Sequence, residues 1–199
     1  MKWDWNMMEA IGAVVAAIMA ILAFSESLRM RKNSAFNTLF AQLIANHKEL
    51  FADKELSAGF YSFFHKRLDD VRTMRDLVDS WNAYKGTLDD KRSVCFSHAF
   101  KYVYHEVVTV LSDGTINEKA KRHYLGIIQS CMNKDELFCY LVNLLQHFET
   151  YPDAEDYRVQ LKRYHFFDDL MRAKDERYKD VMKGLCTQLY MDVGKLVNL

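Results

Sequence analysis

The chain has 199 residues, is half hydrophobic and 14% aromatic, and contains one proline and seven glycines. This composition excludes a disordered chain, and the scarcity of turn-forming residues argues against β-sandwiches, barrels and doubly wound folds. The formal net charge is zero, from 27 basic and 27 acidic residues, so the composition indicates no general electrostatic grip on nucleic acid. The sequence predicts an all-α fold, a helical bundle with one N-terminal transmembrane helix.

The first predicted element is an uncharged apolar run over residues 10–24, AIGAVVAAIMAILAF. Its length lies between that of a buried helix and the roughly 20 residues that span a bilayer, so its flanks decide the interpretation. Tryptophans before the run suit a headgroup region, and a basic cluster after it marks the cytoplasmic side by the positive-inside rule. These membrane-flank residues are Trp3, Trp5, Arg29, Arg31 and Lys32.

The flanks predict a single-pass protein of the bacterial inner membrane, with a short amino-terminal tail outside. The predicted domains are a membrane anchor with its basic flank at 1–32 and a cytoplasmic α-helical domain at 33–199. Two alternatives stay open: a secretory signal peptide, which normally begins with a basic rather than an acidic region, and a helix docked on a partner. Polar, helix-compatible residues at 26–35 predict that the anchor helix continues into the domain.

Small residues recur at every fourth position of the apolar run, at Gly12, Ala16 and Ala20. This spacing places them on one helix face, where they let two helix backbones approach closely. We therefore predict a homo-oligomer that associates through this face, with the lipid bilayer as a further partner. The alternative is an ordinary apolar helix, because alanine is common in short spans.

The rest of the chain shows helical periodicity, and its first predicted face consists of Phe36, Leu39, Phe40, Leu43, Ile44 and His47. Asn133 and Glu136 have the spacing of a helix-capping pair. Further helices are predicted at 56–67, 70–84, 91–111, 117–128, 133–148, in shorter pieces over 156–171, and from 174 to the carboxy terminus.

No phosphate-binding loop, dinucleotide fingerprint, HExxH, GxSxG or EF-hand motif occurs, so we predict no catalytic residues, no metal and no cofactor. One enzymatic alternative remains. Arg92 and His98 have a spacing similar to that of HEPN ribonucleases, in which paired histidines cleave RNA and arginine stabilises the phosphate. Arg158 and His165 give a second match, and matches to so loose a pattern arise by chance.

Three blocks of residues 36–170 carry a resemblance to a known family. They are FNTLFAQLIANHKELF, HAFKYVYHEVVTVLSDG, and KAKRHYLGIIQSCMNKDELFCYLVNLLQHF with the later YHFFDDL. In their order and spacing, and in the capped start at Asn133, Glu136 and Leu137, they resemble the phage abortive infection proteins, the AbiC-like proteins of bacteria. Related membrane proteins act in retron defence systems, so the resemblance implies a reverse transcriptase with its multicopy DNA, or another defence-locus protein, as partner.

Together these observations predict a membrane-anchored effector of bacterial antiphage defence that oligomerises and perturbs the inner membrane. We expect no small-molecule substrate. Two alternatives stay open: a membrane-tethered HEPN-like ribonuclease that uses Arg92 and His98, and a non-catalytic adaptor for a defence complex.

Overall fold

The computed structural model describes residues 5–66, 71, 73–150 and 154–171, and for residues 5–17 it describes the backbone alone. Over these residues the chain forms helices and no strand, which confirms the predicted all-α class. The helices are α1 (Trp5–Phe51), α2 (Lys54–Lys66), α3 (Met74–Gly86), α4 (Asp90–Ser112), α5 (Glu118–Cys131), α6 (Lys134–Thr150), α7 (Glu155–Arg163) and α8 (Asp168–Met171).

Helix α1 has two parts that differ in burial. Its carboxy-terminal part buries Phe36, Phe40 and His47 on one face, as the periodicity predicted. The prediction is wrong for Leu39, which is 46% exposed at the edge of that face. There the rings of Phe36 and Phe40 lie 5.0 and 4.6 Å from the ring of Tyr124 in α5. Residues 18–32, which we call the exposed arm, lie mostly in solvent. The helix is continuous between the two parts, so the predicted continuation is confirmed.

Helix α6 lies at the centre of the domain and packs against α2, α3 and α8. Every residue from 136 to 142 is buried, as expected for a helix that is apolar on nearly all sides. Around it lies an aromatic cluster: the rings of Phe63 and Trp81 are 4.7 Å apart, and those of Phe60 and Phe96 are 4.5 Å apart. These edge-to-face and tilted contacts add to the stabilisation from burying the rings.

Side chains cap the starts of several helices. Asn133 accepts a hydrogen bond from the amide of Glu136, whose carboxylate accepts one from the Asn133 amide, at 3.0 and 2.7 Å. This reciprocal pair confirms the predicted cap of α6. Asn117 caps α5 by accepting from the Ala120 amide at 2.9 Å, and Thr73 caps α3 in the same way. Each cap satisfies an amide that the helix itself leaves without a partner.

A tight turn separates α7 from α8. His165 has a φ of 57°, the left-handed conformation that usually ends a helix at glycine. The amide of Phe166 donates to the Leu161 carbonyl and that of His165 to the Lys162 carbonyl, both at 3.1 Å. These two bonds form a Schellman motif, which stops α7 and turns the chain so that Phe166 enters the core.

The predicted transmembrane helix is contradicted by the helices that the structure describes. Within the part of the chain that the structure describes, no helix combines the length and the apolarity needed to cross a membrane. The predictions of a transmembrane helix and of a single-pass location in the bacterial inner membrane are therefore wrong.

Several predictions fall on parts that the structure does not describe. Trp3 and the helix predicted from residue 174 onward lie outside the described residues, as do the side-chain surroundings of Trp5, Gly12 and Ala16. The association face therefore stays a prediction at two of its three residues.

Candidate functional site

The exposed arm carries a continuous set of large apolar side chains. Seven of them retain between 41% and 68% of their accessible surface. They cover about two thirds of the helix circumference at 100° per residue, whereas soluble monomers seldom expose so many neighbouring apolar groups unless the surface binds something. They are Ile18, Met19, Ile21, Leu22, Phe24, Leu28 and Met30.

The arm also holds four residues singled out from the sequence. Ala20, the last small residue of the predicted association face, is exposed near its beginning. Arg29, Arg31 and Lys32 are exposed at its carboxy-terminal end, and Glu26 precedes them. The arm therefore runs from a purely apolar segment into a charged one, and roles for these residues in association stay predictions.

A second feature is a pocket of about 700 Å³ between α3, α4 and α6, a size typical of small-molecule sites. Aromatic and basic side chains dominate its lining. Among the described residues that line it, none is acidic. The aromatic residues are Phe96, Phe100, Tyr104 and Tyr140, and the basic residues are Lys85, Lys101, His105 and His147.

Among the four basic residues that line the pocket, Lys85 is the least exposed to solvent. Its Nζ donates to the side-chain oxygen of Gln146 at 2.5 Å and lies 5.5 Å from the centre of the Trp81 ring. Neither of these two described partners, the Gln146 amide and the Trp81 ring, carries a charge. Burial lowers the pKa of the Lys85 ammonium, because the charged form has lost water without gaining a counterion. An anion in the pocket would supply that missing charge.

Tyr140 contributes a ring and a neutral hydroxyl to the pocket. Its hydroxyl lies 2.8 Å from that of Tyr157. Burial raises the pKa of both phenols well above the usual range, so both stay protonated at neutral pH. Tyr104 packs against Tyr157 with ring centres 4.9 Å apart and stays partly exposed at the pocket. The aromatic side of the pocket is therefore uncharged, and Tyr157 contacts both Tyr140 and Tyr104.

A buried polar pair joins α1 to α4. Nδ1 of His47 lies 2.6 Å from Oε2 of Glu106, and both side chains are 0% exposed. Burial raises the pKa of Glu106, and the hydrogen bond and charge of His47 partly offset this effect. Nε2 of His47 and Oε1 of Glu106 have no hydrogen-bond partner among the described residues. The pair therefore ties α1 to α4 inside the core, where solvent does not reach either side chain.

Arg92 and His98, the residues of the ribonuclease alternative, lie on α4 away from the pocket lining. Six helical positions separate them, which turns their side chains about 120° apart around the axis. Arg92 pairs with Asp89 at 3.7 Å and His98 is exposed. In the second match, Arg158 is buried and His165 lies exposed in the turn after α7. A catalytic role for Arg92 and His98 stays a prediction.

Comparison with models of protein families, with curated proteins and with solved structures finds no match to this chain. The resemblance to AbiC-like proteins therefore stays a prediction from the sequence blocks.

Sequence reasoning missed the pocket because three helices contribute to it and no local motif marks it. A signal is nevertheless present in α4. Ser93, Ser97, Lys101 and His105 recur at every fourth position, which makes a polar stripe beside the apolar face of the helix. Such a stripe predicts a solvated groove along α4, although it does not predict which residues of α3 and α6 face that groove.

Proposed function

We propose that this chain is a non-catalytic effector of bacterial antiphage defence that acts by associating with further copies of itself through the exposed arm. The antiphage role is proposed from the resemblance of the three sequence blocks to AbiC-like proteins. Self-association rests on one observation, the seven large apolar side chains that the fold leaves exposed between residues 18 and 30.

The energetics favour association that depends on concentration. Burying a whole side chain of this kind is worth about 1.5–3 kcal/mol, so covering its exposed half gives about 1 kcal/mol. One side of the arm presents about four such groups, so a contact between two copies covers about eight and gives roughly 8 kcal/mol, which lies within the range of about 4–15 kcal/mol that association costs. A contact on one side is therefore weak, and an assembly that covers several sides of the arm is stronger.

The charges of α1 favour a second copy as the occupant of the arm. Glu9, Ala20 and Arg31 are eleven residues apart, which is three turns within about 20°, so their positions follow one line along the helix. Antiparallel pairing along that line places Ala20 against the same residue of the second copy and Glu9 beside Arg31 at each end. Parallel pairing would instead bring like charges together, so the two-fold arrangement is favoured.

Sedimentation equilibrium of the full chain tests self-association. We expect a mass of at least two chains of 23.4 kDa, rising with concentration. The double variant Phe24→Ser/Leu28→Ser should sediment as a monomer. The matched control is Val94→Ser/Val159→Ser, which removes two apolar side chains of 52% and 46% exposure outside the arm and should keep the wild-type mass. A wild-type chain that stays monomeric at every concentration would overturn the proposal.

A charge exchange tests the antiparallel arrangement. Glu9→Arg and Arg31→Glu should each weaken association, and the double exchange should restore it, most clearly at low salt. In infected bacteria that carry the complete defence locus, the Phe24→Ser/Leu28→Ser variant should lose protection and the Val94→Ser/Val159→Ser control should retain it. Full protection by a strictly monomeric variant would separate defence from self-association and refute the proposed mechanism.

A further inference from the structure

The pocket between α3, α4 and α6 has a lining that selects a particular ligand chemistry. Lys85 and Lys101 supply positive charge, and no acidic side chain among the described lining residues neutralises it. A purely apolar ligand would further desolvate these ammonium groups without replacing the lost water, which costs free energy. An anionic group avoids that cost, because an ion in a low-dielectric pocket attracts the ammonium groups strongly.

The other half of the lining suits a planar ring. Tyr104 presents a partly exposed face, and its position is fixed by the ring of Tyr157 behind it. Phe96 and Phe100 extend this apolar wall. Aromatic side chains of this kind stack on nucleobases, and this contact tolerates different bases because every base has a flat face.

Two other ligand classes fit less well. A metal ion needs several carboxylate, imidazole or thiolate ligands close together, and the described residues contain no such group of three. A nucleic-acid strand is bound along an extended basic groove, whereas the four basic residues that line this site surround one concave pocket in a chain of zero formal net charge.

We propose that this pocket binds a mononucleotide, with the base against Tyr104 and the phosphate beside Lys85 and Lys101. This site is separate from the exposed arm and does not depend on the proposed self-association. No covalent step is involved, because the pocket supplies charge and a stacking surface only.

Isothermal titration of the full chain tests the proposal with AMP, GMP, CMP and UMP, each compared with its nucleoside and with inorganic phosphate. We expect at least one nucleoside monophosphate to bind at least about tenfold more tightly than its nucleoside, which lacks the charge-assisted hydrogen bond, and than phosphate, which lacks the stacked base. Lys101→Ala and Lys85→Gln should each weaken this binding about tenfold. Lys91→Ala, an exposed lysine of α4 outside the pocket lining, is the matched control and should bind as wild type does.

Three outcomes would overturn the proposal. They are the absence of binding by all four monophosphates at millimolar concentration, equal binding of nucleoside and monophosphate, and full affinity in both pocket-lysine variants. Circular dichroism of each variant distinguishes lost binding from lost folding. Lys101 is exposed, so its replacement should leave the helical spectrum unchanged and keep the test decisive even when Lys85→Gln disturbs the neighbouring Gln146.

Discussion

Replacing Glu106 with glutamine or alanine should separate the hydrogen bond of the buried pair from its charge. Glu106→Gln keeps an oxygen and an amide group within reach of His47 and removes the carboxylate that burial disfavours. Glu106→Ala removes the acceptor and leaves both ring nitrogens of His47 without a partner, because Nε2 already has none among the described residues. The two variants should therefore differ strongly in stability.

The magnitudes follow from the complete burial of both side chains. A buried polar group left without a hydrogen bond costs about 1–3 kcal/mol, and the lost methylene packing of Glu106 adds about 1 kcal/mol. We therefore expect Glu106→Ala to lower the free energy of unfolding by about 3 kcal/mol. Glu106→Gln should change it by less than about 1 kcal/mol at neutral pH, since a neutral hydrogen bond replaces a buried carboxylate.

The pH dependence has a definite sign. The pKa of Glu106 is raised above its usual value of 4.5, so its contribution to stability is full below pH 4.5 and is lost as the pH rises through the raised pKa. Glutamine does not titrate. Wild type should therefore be more stable relative to Glu106→Gln at pH 4 than at pH 7.

Urea unfolding of both proteins between pH 4 and pH 8, followed by circular dichroism, measures the difference at each pH. A gap that widens in favour of wild type as the pH rises would refute the reasoning. It would mean that His47 holds the carboxylate as a favourable ion pair despite its burial.

Three further substitutions test local features by urea unfolding. Gly59→Ala should lower the free energy of unfolding by about 1–2 kcal/mol, because the new Cβ would lie 2.6 Å from Cζ of Phe96, and this crowding outweighs the gain of about 1 kcal/mol in helix propensity. Asn117→Ala should lower it by about 1 kcal/mol through loss of the α5 cap. His165→Gly should raise it by about 0.5–1 kcal/mol, because glycine adopts the φ of 57° without strain.

Each of these substitutions has its own control. Gly126→Ala also replaces a helical glycine, but no atom lies within 4 Å of the new Cβ, so it should stabilise α5 rather than crowd it. Asn117→Ser keeps a capping oxygen and should retain most of the stability. His165→Ala keeps the backbone strain and should not reproduce the gain from glycine. Equal effects of the test variant and its control would contradict the local explanation in each case.

The sequence predicted those parts of the fold that depend on local patterns. Helix α4 was predicted at 91–111 and spans Asp90–Ser112, since its apolar spacing and the Ser112–Gly114 turn are both local signals. The reciprocal cap of Asn133 and Glu136 was likewise readable at three-residue spacing.

Features that depend on distant residues were not predictable in this way. His47 and Glu106 are 59 residues apart, so nothing in either local pattern indicates that they meet in the core. The turn at His165 lacks the glycine that usually signals a left-handed residue. The apolar run at 10–24 gave a strong local signal for a membrane span, whereas no helix among the described residues is long and apolar enough to cross a membrane.

Helix α1 connects the exposed arm to the core of the domain. It is one unbroken rod of 47 residues, about 70 Å long, with the exposed arm toward one end and His47 near the other. Phe36 and Phe40, which lie between the arm and His47, pack against Tyr124 of α5. Between the exposed arm and the end of the helix, α1 therefore contacts α5 first, and His47 then pairs with Glu106 of α4. A single continuous helix thus joins the exposed arm to a direct contact with α4, the helix that forms one wall of the pocket.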